Sequence, residues 1–267
     1  MGQMEFLQFN INNLSRNGIK DVTLVEHKEP IPLREFYLIV EGENTERFYI
    51  NYLKEKHKLP FEIKAFEKNE DEEKAHNWKI IDGIKCLCGG DYLQKIDTIE
   101  KINKGVASVP GMRPNIICIF DLDICFQKDG ETKYQEYKGL LERYKTYNNI
   151  LFCASMPNVE YWFLSHFNDL TVYDDNLSYN TENIDKVIDG LNSYIGGKGT
   201  VYSKRSTFFK TRHWRKLRDY LCNDENRYRA ITRAKMKANK EERLDKVSNP
   251  EQCTISYSDM YKLFEIK

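Results

Sequence analysis

Four short runs of apolar, largely β-branched residues punctuate the first two thirds of the chain: 36–40, 61–66, 116–120 and 150–154. Each is bounded by turn formers, which is how buried strands read in a sequence. The run at 61–66 alternates with period two; the other three are continuous, as expected where a strand is covered on both faces. Between them the period changes to that of a helix. Phe48, Tyr49, Tyr52 and Leu53 mark one face of 45–56, and Tyr92, Leu93, Ile96, Ile99 and Ile102 mark one face of 91–103. A Tyr-rich helix is predicted over 132–147, and another begins at Val159 with Asn158 as its N-cap. This β-α-β-α-β-α-β-α order predicts a mostly parallel, doubly wound α/β sheet over 35–167 with right-handed crossovers.

Outside that block the texture differs. Residues 1–34 are polar and irregular, ending in Pro30 and Pro32. Past residue 168 strand signals fade, and 183–194, 207–222, 227–246 and 258–264 read as helices, with a glycine-rich break at 196–199. The predicted organisation is an irregular N-terminal segment (1–34), an α/β domain (35–167) and a mainly helical C-terminal region (168–267).

Composition adds a constraint on charge. The 267 residues carry 41 basic and 41 acidic side chains, so the chain is formally neutral. Residues 198–246 nevertheless hold sixteen Lys or Arg against six Asp or Glu, about +10, leaving the remainder about −10. Such a division suits an enzyme that must hold both a cation and a polyanion. No apolar run reaches the roughly eighteen residues a membrane span needs, and the first residues lack a secretory pattern, so no membrane association and a cytoplasmic location are expected. Seven cysteines in mostly apolar surroundings read as reduced core thiols. Cys86 and Cys88 form the one close pair, and with histidines scattered a zinc site is not expected.

The strand ends carry the chemistry. Glu41 follows the first strand; Asp121 and Asp123 end the third, where a spacing of two puts both on one side if the backbone stays extended. Parallel strands deliver these acids to one crevice at their carboxyl ends. Converging carboxylates repel one another unless a hard cation sits between them, which points to Mg2+ or Mn2+ and to phosphate chemistry. Glu160, in the first turn of the helix after strand four, lies beside the same cleft.

Glu41, Gly42, Thr45 and Glu46, with the later Asp121-x-Asp123, resemble the signature of TOPRIM domains. Together with Pro157, Glu160, Trp162, His166 and Phe167, and with the closing Asn249, Pro250 and Thr254, they are similar to the RloB-like family over nearly the whole chain from 35 onward. That resemblance implies a TOPRIM-like nuclease of prokaryotic defence loci, acting on nucleic acid, RNA or tRNA in preference to DNA, and governed by an ABC- or SMC-type ATPase. A homodimer is compatible with it. By position, Glu41, Asp121 and Asp123 would bind metal, Glu46 would support them or serve a second metal, and Glu160 would complete the site. A basic catalytic residue from beyond the acids would be Lys204, with Lys198 and Lys210 as alternatives. The chain departs from the family in having Met156 where an Asn usually precedes the proline.

In the basic half, cations alternate with aromatics from 202 to 233. Lys204, Arg205, Lys210, Arg212, Arg215 and Arg218 are the candidate phosphate contacts, while the aromatics are read mainly as core. A non-catalytic TOPRIM adaptor or nucleic-acid sensor is the competing expectation. Strand passage or primer synthesis finds no support in any nucleophilic tyrosine context.

Overall fold

Alternation along β1 (Arg34–Val40) and β5 (Asn115–Asp121) divides the core into two halves. Leu38, Val40, Ile117 and Ile119 face one side of the sheet; Ile39, Ile116, Cys118 and Phe120 face the other. A strand whose two faces are both apolar must be covered on both, and here helices cover each. The computed structural model describes residues 34–40, 44–57, 61–63, 78–81, 84–88, 92–106, 115–167, 181–195, 202–203 and 207–266. The irregular segment expected before the first strand and the glycine-rich break at 196–199 lie outside the described residues.

Among the described residues the sheet has seven strands. With β2 (Phe61–Ile63), β3 (Trp78–Ile81), β4 (Ile84–Cys88), β6 (Ile150–Met156) and β7 (Tyr257–Ser258), its order is β3-β4-β1-β5-β6-β7, and β2 pairs beside β4 on β1. β1 runs parallel to β2, β4 and β5, and β5 parallel to β6; β3 and β7 are antiparallel edges. The expected α/β, mostly parallel architecture is therefore present. Three strands escaped the sequence reading. The apolar runs at 78–81 and 84–88 flank Asp82 and Gly83, a two-residue hairpin signal that could have revealed β3 and β4.

One face is covered by α1 (Thr45–His57), α4 (Val159–Leu164), α5 (Thr181–Ile195), α6 (Arg212–Leu221) and α7 (Asp224–Ala238). Trp162 Nε1 donates to Tyr49 Oη at 2.8 Å, pinning α4 to α1 inside that core. The other face takes α2 (Tyr92–Val106) and α3 (Gly130–Tyr144), whose Tyr92, Tyr134, Tyr137 and Tyr144 pack beneath Phe120 and Phe152. The C-terminal region shares both cores: Leu217, Leu221 and Ala230 join the first, and Leu244, Ile255 and Tyr257 the second.

Several C-terminal elements differ from their sequence forecast. The helix expected over 207–222 is a 3-10 turn (Phe208–Lys210) followed by α6, because the Thr211 side chain caps Trp214 N and restarts the helix. Asn223 caps α7 three residues earlier than anticipated, and that helix stops at Ala238. The segment read as a helix over 258–264 opens instead as β7, paired with β6 through Ser155 and Ser258, whose hydroxyls lie 2.8 Å apart; the 3-10 turn Met260–Phe264 follows.

Five described cysteines, 118, 125, 153, 222 and 253, are free and buried as expected. Burial pushes the Cys118 thiol up to about 12 and that of Cys253 to about 11, so both stay protonated.

A buried ion pair ties the C-terminal tail down. Arg243 donates to both oxygens of Asp259, at 3.1 and 3.0 Å, and stacks 3.9 Å over the Tyr257 ring. Both partners are nearly sealed from water, and Asp259 also pairs with Lys262 at 3.0 Å, so removing Asp259 takes a buried carboxylate from two cations at once and leaves Arg243 with Asp245 alone. Asp259→Ala is expected to lose about 3–5 kcal/mol in urea denaturation, and the double variant Arg243→Met/Asp259→Leu to recover most of it. An Asp259→Ala protein as stable as wild type would rule this out.

Candidate functional site

β1 and β5 are parallel neighbours, with Val40 level with Ile119, so both strands deliver their following residues to the same edge of the sheet. Glu41, the residue after Val40, lies outside the described residues. Asp121 is 6% exposed, and its Oδ1 accepts a hydrogen bond from Val159 N at 2.8 Å. Asp121 thus occupies the capping position at the start of α4 that the sequence assigned to Asn158, whose own side chain makes no cap.

The Asp-x-Asp spacing does not survive as an extended strand. Leu122 turns to φ −102°, ψ −2°, with its N–H donating to the carbonyls of Ser155 and Pro157, and Asp123 opens a 3-10 turn. Asp123 N also donates to Pro157 O, at 3.0 Å, and the side chain is half-buried. The two-residue alternation that would align both carboxylates therefore ends at Asp121, because the backbone bonds to the β6–α4 connection hold Leu122 in a helical conformation.

Glu160 is fully buried, and Glu46 is 2% exposed. Glu160 Oε1 accepts from the Tyr202 hydroxyl at 2.9 Å, and that hydroxyl lies 3.3 Å from Thr45 Oγ1. Burial raises the Tyr202 phenol well above its usual range, and the carboxylates of Glu160 and Glu46 add to the effect, so Tyr202 remains a proton donor. The first turns of α1 and α4 are in this way joined through one phenol. Tyr202 was missed in the sequence because its neighbours Lys204 and Arg205 drew the reading toward charge; a lone tyrosine carries no motif.

Asn158 is fully buried, and among the described residues neither its Oδ1 nor its Nδ2 has a hydrogen-bond partner. His166, likewise fully buried, bonds through Nδ1 to Trp162 O at 2.9 Å. Burial lowers its pKa to about 3 and keeps the imidazole neutral.

Among the described residues no three Asp, Glu, His or Cys side chains converge as a metal-binding group. The buried polar side chains at the ends of β5 and β6 and in the first turns of α1 and α4, namely Asp121, Glu160, Glu46, Thr45 and Asn158, with Tyr202 beside them, present oxygen donors and one amide, without thiolate or imidazole. That chemistry fits a hard cation. Mg2+ in particular takes only one or two carboxylates and fills its remaining positions with water and phosphate oxygens.

Of the candidate phosphate contacts, Lys204 and Arg205 lie outside the described residues, as does the alternative Lys198. Lys210, Arg212 and Arg215 are exposed and make no ion pair among the described residues. Arg218 instead stacks 4.1 Å over Tyr52, with Nε 3.6 Å from Asp219. Three cations of α7 are spent inside the fold. Arg229 donates to His166 O at 2.7 Å, Arg233 to the carbonyls of Ser165 and Phe167, and Lys237 to Tyr161 Oη and Ser256 O. At a spacing of four these side chains follow one helix face; Arg229 and Arg233 satisfy the carbonyls just past the end of α4, and Lys237 bridges Tyr161 to the C-terminal tail. The aromatics agree with the core reading: Phe208, Phe209 and Trp214 are buried, with Phe209 stacked on Phe48 at 4.8 Å. Tyr228, 72% exposed, is the exception.

The cap made by Asp121 separates its structural role from any other. In metal-free protein, Asp121→Ala is expected to cost about 1–2 kcal/mol, while Asp121→Asn, which retains an acceptor oxygen, stays within about 0.5 kcal/mol of wild type. Urea midpoints measure both; equal losses would mean that the contact to Val159 N is not what the carboxylate contributes to stability.

The family model described as RloB-like protein matches residues 36–266. Neither a curated protein nor a solved structure gives a significant match. The model spans the sheet, both helical layers and the C-terminal tail, including every motif that carried the resemblance, and the chain belongs to the RloB-like family.

Proposed function

We propose that this protein is a Mg2+- or Mn2+-dependent endonuclease of TOPRIM-like architecture, cleaving phosphodiesters of RNA, tRNA among them, in preference to DNA. The observation that carries the reading is the pair of buried acids, Asp121 and Glu160, held at the carboxyl edge of the parallel sheet by Val159 N and the Tyr202 hydroxyl. Burying carboxylates costs free energy that a purely structural edge has no need to spend, and an open α/β sheet binds its ligands there. A divalent cation bound at this edge would polarise a phosphodiester oxygen and lower the pKa of a water.

In this reading Asp121 and Glu41 ligate the cation, Asp123 and Glu46 support it, and Glu160 is oriented by Tyr202. Lys204 or Lys210 stands by the leaving oxygen, and Arg212 and Arg215 on the outer face of α6 neutralise the substrate backbone. Such an activity is toxic unless restrained. This fits a defence effector in an anti-phage or abortive-infection system, controlled by an ABC- or SMC-type ATPase. The non-catalytic adaptor reading draws support from one observation, that no three described carboxylates converge.

Purified protein incubated with RNA and with DNA, with Mg2+ or with chelator, tests the two against each other. Metal-dependent RNA fragments are expected, reduced roughly 100-fold or more by Asp121→Asn, the scale on which one lost electrostatic contact to a transition state is felt. Binding without cleavage, unaffected by chelator and by Asp121→Asn, would establish the adaptor instead. Separately, Arg212→Ala/Arg215→Ala should weaken single-stranded RNA binding evenly across sequences. It should also reduce the slope of log affinity against log salt by roughly 1.4, the release expected from two phosphate contacts; an unchanged slope would remove α6 from the interface.

A further inference from the structure

Asn158 presents an unresolved cost. Its side chain is fully buried, yet among the described residues neither Oδ1 nor Nδ2 has a hydrogen-bond partner. Leaving a buried polar group unsatisfied costs about 1–3 kcal/mol, and folded proteins carry few such groups. The backbone of Asn158, at φ −150° and ψ 174°, is that of a helix N-cap, but its side chain makes no capping bond. Val159 N is bound to Asp121 Oδ1, and Tyr161 N to the Asn158 carbonyl at 3.1 Å. The amide thus belongs to the N-cap of a helix whose first N–H is bound by Asp121 and whose second residue is the buried Glu160, and among the described residues it has nothing to bond.

A carboxamide combines one neutral hard oxygen with two N–H donors. The pair it complements is a hydrated divalent cation, whose shell accepts such an oxygen, together with a phosphate, whose oxygens accept N–H. A lone anion would leave Oδ1 unsatisfied, and a lone cation would leave Nδ2 so. We propose that Asn158 is a further binding residue of this site, its carboxamide completing the coordination shell of the cation and contacting the substrate phosphate. The proposal rests on the metal-dependent reading and adds to it a neutral ligand that none of the acidic motifs contains.

The test compares full-length wild type with Asn158→Leu, Asn158→Asp and Asp121→Asn, by urea denaturation in chelator and by Mn2+ titration followed through the resonance of the free ion. Asn158→Leu is nearly isosteric and removes the unsatisfied amide. It should be as stable as wild type or more stable without metal, yet bind Mn2+ about 10–100-fold more weakly. An amide with a purely structural role predicts the opposite pattern, lost stability and unchanged affinity, and that result overturns the proposal.

Asn158→Asp keeps the shape and decides the matter should Asn158→Leu not fold. It should lower metal-free stability through repulsion from Asp121 and Glu160 while tightening Mn2+ binding; unchanged affinity overturns the proposal. Mn2+ binding lost in Asp121→Asn but intact in both Asn158 variants would sink this inference and leave the metal site standing. A wild type that binds no Mn2+ would sink both.

Discussion

Because β1, β5 and β6 run parallel and side by side, whatever follows each strand emerges at the same edge of the sheet. Register then decides which residues meet. Asp121 lies level with Ser155, so the turn after β5 is stitched to the turn after β6 through Leu122 N, Asp123 N and the carbonyls of Ser155 and Pro157. The start of α4 is fixed by that seam, and with it the positions of Asn158 and Glu160. Every functional argument about this chain depends on this pairing of strand ends.

The same edge concentrates groups that an interior ordinarily rejects. Glu160, Glu46 and Asp121 are withdrawn from water, and a single phenol, Tyr202, reaches from the segment before α6 to Glu160 and Thr45. Tyr202 is itself packed edge-on against Phe208, which belongs to the same aromatic core as Phe209 and Trp214. Apolar packing of the C-terminal region therefore positions a polar group at the sheet edge. That coupling explains why a region whose charge sets it apart from the α/β block shares its core.

Charge in the C-terminal region does two jobs that composition merges into one. On α7, Arg229 and Arg233 face inward and satisfy backbone carbonyls just past the end of α4, whereas Arg212 and Arg215 of α6 and Lys210 of the preceding turn face water. Helical periodicity separates them: Trp214, Leu217 and Leu221 anchor one face of α6 and leave Arg212 and Arg215 on the other. On α7 the apolar anchor is thin, Ala230 and Ala234, and Arg229 and Arg233 sit beside it close to the core surface. A net charge near +10 thus overstates the surface available to a polyanion.

Local pattern was sufficient for the central strands and the helices between them, because burial on two faces and the 2.0 and 3.6 periods are written residue by residue, while the family was legible in short motifs. It was insufficient for β7, a two-residue strand defined only by its partner, and for the conformation of Leu122, imposed by carbonyls more than thirty residues away. It also could not reveal that Asp121 rather than Asn158 caps α4, or that Tyr202 holds Glu160. Those assignments depend on distances between segments far apart in the chain. Only the tertiary structure decided them, since a hydrogen bond is specified by geometry in space and leaves no period in the sequence.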